Sequence, residues 1–159
     1  VVFYDGNEFT IAIKKLGYAN GINVSEDGNI LYVAETVGKK ISEYAIDKRS
    51  YELTFIQSTD FNSGVDNIEL DKEGNLWIGS HPKLLTFTRH AKNSDIFSPS
   101  QVFKVSLGDE NQVEEVYLND GGELSGSSVA ATWENNLLIG PVLEDHFLHC
   151  RYNKDSLIE

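Results

Sequence analysis

The chain has 159 residues, 40% of them hydrophobic, and a formal net charge of -12. That length and apolar content suffice for one domain with a real core, while the charge argues against a nucleic-acid binder, which needs a basic stripe to neutralise phosphates. No apolar run reaches the roughly 20 residues of a membrane span, and most of the carboxylates read as solvated surface.

Taken in chain order, Val1-Val-Phe-Tyr4 reads as a buried strand, and methionine is absent throughout, which reads as a fragment or a processed chain. Tyr18-Ala-Asn-Gly-Ile-Asn-Val-Ser-Glu-Asp-Gly-Asn29 and Gly64-Val-Asp-Asn-Ile-Glu-Leu-Asp-Lys-Glu-Gly-Asn75 repeat one pattern, an apolar alternating strand closed by a Gly-Asn turn. Each turn leads into a second apolar strand, Asn29 to Glu35 and Asn75 to His81, and Asn136 to Pro141 reads as a third copy. Outer strands follow: Lys40 to Ile46 and Tyr51 to Ile56 after the first copy, Leu84 to Thr88 and Gln101 to Val105 after the second. Val113 to Leu118 reads as leading into the third copy, and Ala91 to Gln101, with Lys-Asn-Ser-Asp and Ser-Pro-Ser, reads as an insertion. No amphipathic helix of ten or more residues is expected.

Asn29, Asn75 and Asn136 are spaced 46 and 61 residues apart, and at those offsets Ile22, Ile68 and Val129 coincide, as do Tyr32, Ile78 and Ile139. The first spacing matches the roughly 40 to 50 residues of a four-stranded propeller blade. The expected fold is therefore all-β, three blades of a six-bladed β-propeller, divided near 1–56, 57–105 and 106–159; a sandwich of short hairpins is the alternative. At the start of each inner strand the offsets align Asn20, Asp66 and Ser127, polar residues that would face a channel mouth and could share one cation.

A lone cysteine, Cys150, has no disulfide partner within the chain. His90, His146 and His149 read as surface or packing residues. Asn23-Val-Ser25 is a formal glycosylation sequon on an inner strand, where Asn23 more naturally caps a turn or meets a second ion.

The stretches Ala19 to Ser25, Asp60 to Asn62 with Val65 to Ile68, Asn75 to Gly79 with His81-Pro82, and Gly126 to Ala130 with Leu137 to Gly140 resemble, in order, the C-terminal half of the paraoxonase family of arylesterases and lactonases. The resemblance implies a calcium-dependent hydrolase of esters and lactones, with organophosphates as further substrates. It makes Asn20, Asp66 and Asn67 ligands of the catalytic calcium, completed by a glutamate and an asparagine from the N-terminal half, and it implies a second, structural ion elsewhere in the propeller. It gives Asp66 and His81 catalytic roles, although a ligand role alone accounts for Asp66, and it assigns the general base to a histidine pair from the N-terminal half. It places Tyr18, Thr36, His81, Ser128 and Val142 on the substrate wall, and the stretch from Lys83 to Arg89 lacks the aromatic pair expected to line the pocket. His81 ends its strand, so the following loop would have to fold over for it to reach the mouth.

The same resemblance implies that Cys150 pairs with a cysteine near the family's N-terminus. The implied partners are that N-terminal half, covalent or as a second chain, and a small ester or lactone. The implied setting is secreted or membrane-associated in an oxidising compartment, with lipid contact made through the N-terminal half. A non-catalytic propeller, acting in binding or in membrane-protein assembly, is the competing reading; a homodimer of half-propellers is a third.

Overall fold

The computed structural model describes residues 1–152, so the last seven residues of the expected third blade lie outside the described part. A small hairpin of β1 (Val2–Tyr4) and β2 (Phe9–Ile11) is followed by three meandering antiparallel sheets. The first contains β3 (Ala19–Val24), β4 (Ile30–Glu35), β5 (Lys40–Ile46) and β6 (Leu53–Asp60). The second contains β7 (Gly64–Leu70), β8 (Leu76–His81), β9 (Ser100–Ser106) and β10 (Gln112–Asn119), with helix α1 (Leu84–His90) inserted between β8 and β9. The third contains β11 (Ser127–Trp133), β12 (Asn136–Pro141) and β13 (Leu148–Arg151). The chain is all-β with the architecture of propeller blades, each sheet in strand order from its innermost strand outward.

The near-continuous apolar runs of the second strands follow from cover on both faces. Along β4, Leu31 and Val33 turn toward Val1, Ile13 and Leu16, while the alternate residues Tyr32 and Ala34 turn toward Val65, Ile68 and Ile78 of the second sheet. Along β8, Leu76 and Ile78 face the first sheet and Trp77 faces Ala130, Leu137 and Ile139 of the third. Full burial of side chains of this size stabilises by about 1.5 to 3 kcal/mol each. The blades are thus layers whose facing side chains form two inter-sheet cores.

The turns between first and second strands are set by side-chain carboxylates. Asp71 Oδ1 accepts the N–H groups of Glu73 (3.0 Å) and Asn75 (2.8 Å), and its Oδ2 accepts the buried Trp77 indole N–H at 2.9 Å. Asp27 plays the same part in the first sheet, accepting from Asn29 N–H at 3.0 Å and from the Ser25 hydroxyl at 2.6 Å.

Four expectations are corrected. Leu84 to Thr88 is helical and not a strand: Leu84 and Phe87 stand three apart and pack inward against the positions of Gly64 and Gly126, a helical spacing. Val113 to Leu118 therefore becomes β10, the outer strand of the second sheet, and the sheets begin at Ala19, Gly64 and Ser127. The insertion includes the helix and ends before Ser100, leaving Gln101 in β9. Val2 and Tyr4 are strand residues but exposed, because β1 pairs with β2 alone among the described strands.

Candidate functional site

All three inner strands carry a β-bulge at the same place, near the end where they begin. The pairing of β3 with β4 slips between Ala19 and Ile22, that of β7 with β8 between Val65 and Ile68, and that of β11 with β12 between Ser127 and Val129. The residues freed from the ladder are Asn20 and Gly21, Asp66 and Asn67, and Ser128. A bulge bends the strand and re-aims the side chain it carries, which brings the three predicted cation ligands to one end of neighbouring strands. Gly21 makes the approach possible: a Cβ there would lie 2.2 Å from Asp66 O and 2.7 Å from Asn67 Cα.

Asp66 is 5% exposed, and its Oδ2 accepts from His81 Nε2 at 3.1 Å. His81 reaches it because β7 and β8 are antiparallel and Gly64 pairs with His81, so the end of the second strand lies at the beginning of the first. The expectation that a folded-over loop would be needed is corrected by that pairing. His81 is 2% exposed and stacked under Phe87 of α1, ring centroids 3.8 Å apart at 17°. It is a covered partner of Asp66, and its Nδ1 is buried without a hydrogen bond among the described residues.

The amides are held by hydroxyls. Asn20 Nδ2 donates to Thr36 Oγ1 at 3.2 Å, and Asn67 Nδ2 donates to Ser128 Oγ at 2.8 Å. Ser127, aligned with Asn20 and Asp66 by the repeat offset, is instead fully buried; its Oγ accepts from Gln101 N–H at 2.9 Å. The bulge shifts the outward position by one residue, to Ser128. Tyr18 and Val142, both exposed, lie at the same end: Thr36 N–H donates to Tyr18 O, and Val142 N–H to Gly126 O, each at 3.0 Å.

Asn20, Asp66 and Asn67 offer one carboxylate and two amide oxygens, a set suited to a hard cation such as calcium. No group of three or more His, Cys, Asp or Glu side chains able to hold a metal exists among the described residues. A cleft of about 830 Å³ opens at the opposite end of the sheets, beside Asp27 and Asp71, away from these donors. Asn23 lies on that side of the bulge, donating to Ile68 O at 2.8 Å and so tying the first sheet to the second.

Two features escape sequence reasoning. Glu35 is 3% exposed and clamps the segment that leads into Asn20: Oε2 accepts Gly17 N–H at 2.6 Å and Oε1 accepts the Ser42 hydroxyl at 2.7 Å. Its signal was a lone carboxylate closing an apolar strand. Helix α1 is the other, and its single aromatic residue, Phe87, covers His81. The remaining histidines lie elsewhere: His90 is buried with Nδ1 2.9 Å from Ile96 O, and His149 Nε2 is 2.8 Å from Asn136 Oδ1. Cys150 pairs with Leu137 across β12 and β13, and burial, reinforced by Glu123, pushes its thiol pKa up.

The sequence model of the family described as Arylesterase matches residues 1–152. Human serum paraoxonase/arylesterase 1 is 38% identical over 146 residues, which is 89% of this chain and 40% of that protein. Human serum paraoxonase/arylesterase 2 is 33% identical over 157 residues, 94% of this chain and 42% of that protein. Rabbit (Oryctolagus cuniculus) serum paraoxonase/lactonase 3 is 32% identical over 149 residues, covering 89% and 40%. The chain thus spans about two fifths of the length of these curated relatives. A solved luciferin-regenerating enzyme superposes with a TM-score of 0.58 over 87% of this chain and 43% of its own, at 16% identity, a likeness of fold. With the match running from the first residue to the end of the described part, the chain belongs to the arylesterase family, the paraoxonase family of ester and lactone hydrolases.

Proposed function

We propose that this chain forms one arc of a calcium-dependent site for ester and lactone hydrolysis, in which Asn20, Asp66 and Asn67 are the oxygen ligands it contributes. The observation that supports this reading is their placement on bulges of adjacent inner strands, with both amide nitrogens committed to neighbouring hydroxyls. When bound, calcium supplies Lewis-acid polarisation of a carbonyl or phosphoryl oxygen.

The chain's own residues prepare that centre. Asp66 neutralises charge, and His81 fixes one carboxylate oxygen, leaving the other free to ligate. Phe87 and α1 keep water from the back of the Asp66–His81 pair, which in a drier surrounding holds its geometry more firmly. Tyr18 and Val142 form the part of the rim open to substrate. Thr36 and His81 are too deeply buried to serve as wall residues unless the site opens. The rest of the calcium shell and the general base belong in this reading to the N-terminal portion of the family's propeller, as does the cysteine that pairs with Cys150, and a second, structural ion belongs to the whole propeller. Secretion through an oxidising compartment goes with that disulfide.

The test uses the intact natural protein with an aryl ester and a six-membered lactone. Excess EGTA should abolish hydrolysis of both and added calcium restore it, while Asp66→Asn should not recover at the calcium concentration that restores the wild type. Full activity in excess chelator would overturn the reading in favour of a metal-independent or non-catalytic propeller.

A further inference from the structure

An amide side chain presents either its oxygen or its NH2 group to a cation, depending on a half-turn about its last bond. Thr36 settles this choice for Asn20. The Thr36 hydroxyl donates to Val65 O at 2.7 Å. That uses its single proton, so toward Asn20 its oxygen can only accept. The group it receives is Asn20 Nδ2, at 3.2 Å, and Oδ1 is thereby turned the other way.

Thr36 is itself held in place. It is 6% exposed, its N–H is bonded to Tyr18 O at 3.0 Å, and its methyl Cγ2 lies 3.2 Å from where a Cβ on Gly64 would stand. Ser128 has the corresponding place for Asn67, on the bulge of the neighbouring sheet, with its Oγ 2.8 Å from Asn67 Nδ2. Both amide oxygens are without a hydrogen bond to any described residue, while both nitrogens are engaged.

We infer that Thr36 and Ser128 are positioning residues for the cation: the Thr36 hydroxyl, its proton spent on Val65 O, locks the Asn20 amide with its oxygen toward the cation, and Ser128 Oγ holds the Asn67 amide by its nitrogen. This rests on the calcium reading above and extends it, because it names what sets the affinity of the site outside its ligands. Thr36 need not touch substrate to matter.

Loss of an outer partner of a metal ligand costs about 10- to 100-fold in affinity. Calcium affinity is therefore measured by titration calorimetry on the intact natural protein and on three variants. Thr36→Val keeps the branched shape and loses the hydroxyl; Thr36→Ser keeps the hydroxyl and loses the methyl. Ser128→Ala probes the second amide at a less buried position, where folding is safer.

Thr36→Val and Ser128→Ala should each bind calcium about 10-fold more weakly or worse. Thr36→Ser should stay close to the wild type in affinity even though, having lost a packed methyl, it melts earlier in EGTA. A purely structural role would instead make affinity follow melting temperature across the three. Wild-type affinity in both Thr36→Val and Ser128→Ala would overturn the positioning role and leave the calcium reading standing. A wild-type protein that binds no calcium would overturn the calcium reading itself, and the positioning role with it.

Discussion

Gly79, in the middle of β8, is where the second and third sheets touch backbone to backbone. A Cβ built there would lie 2.3 Å from both the C and O of Ser128 and 2.5 Å from Val129 N. None of these can swing aside as a side-chain tip would, and ordinary carbon contacts need about 3.5 Å or more. Gly79→Ala must therefore move β8 and β11 apart by about an ångström. β8 is buried along its whole length and bonded on both sides, to β7 and β9, so it cannot yield alone.

The strain spreads into the core that Trp77 and Val102 share with Leu124, Ala130, Leu137 and Ile139. Overpacking of a tight core costs about 1 to 3 kcal/mol, and the upper end applies because backbone stands on both sides. For a chain of this length each kcal/mol moves the melting temperature by about 2 to 4 °C, so a loss of about 6 to 12 °C is expected by calorimetry or circular dichroism. Gly108→Ala is the control, since its nearest neighbour is Glu110 O at an ordinary 3.5 Å; it should melt within about 2 °C of the wild type. Equal melting of Gly79→Ala and Gly108→Ala would refute the reasoning that these sheets close on Gly79.

Two further outcomes follow from single residues. Burial pushes the Asp71 carboxyl up, but hydrogen bonds from Trp77, Asn75 and Glu73 outweigh it and hold the pKa below the usual carboxylate range. A folded pKa below the unfolded value near about 3.9 stabilises at neutral pH and is lost as pH falls through the folded value. Urea midpoints of wild type and Asp71→Asn should therefore differ at pH 7 and converge in strong acid; a gap of equal size at every pH would contradict this. Cys150, in the proposed pairing, should be blocked to thiol reagents in the unfolded, unreduced natural protein and become titratable after reduction. Cys150→Ser should then lower stability by an amount on the order of 4 to 5 kcal/mol for so long a loop, whereas a thiol already free before reduction would sink the pairing.

Local chemistry made much of this fold legible. The short apolar runs Ile30 to Ala34 and Leu76 to Ile78, and the turns ending in Asn29, Asn75 and Asn136, are properties of a few neighbouring residues, so the inner hairpins and their repetition could be read directly. The equivalence of Tyr32, Ile78 and Ile139 follows from it, and all three are buried. Asn20 and Asp66 stood out for the same reason, since they recur at one place in a repeated pattern, whereas Asn67 was named through the family resemblance. Helix α1 was misread because seven residues are too few to form a helix on their own; it is held by Leu84 against Gly64 and by Phe87 against His81.

By itself, then, the sequence determined the all-β repeat and the family, since each depends on patterns of neighbouring residues, and it pointed to Asn20, Asp66 and Asn67 as the proposed oxygen donors. Only the tertiary structure decided how those donors are aimed. A bulge is one residue too many relative to a partner strand, and a strand read alone has no partner to count against. Pairing placed His81 beside Asp66, exchanged Ser127 for Ser128 at the third bulge, and set Thr36 with its one proton spent on Val65 so that Asn20 must turn its oxygen outward.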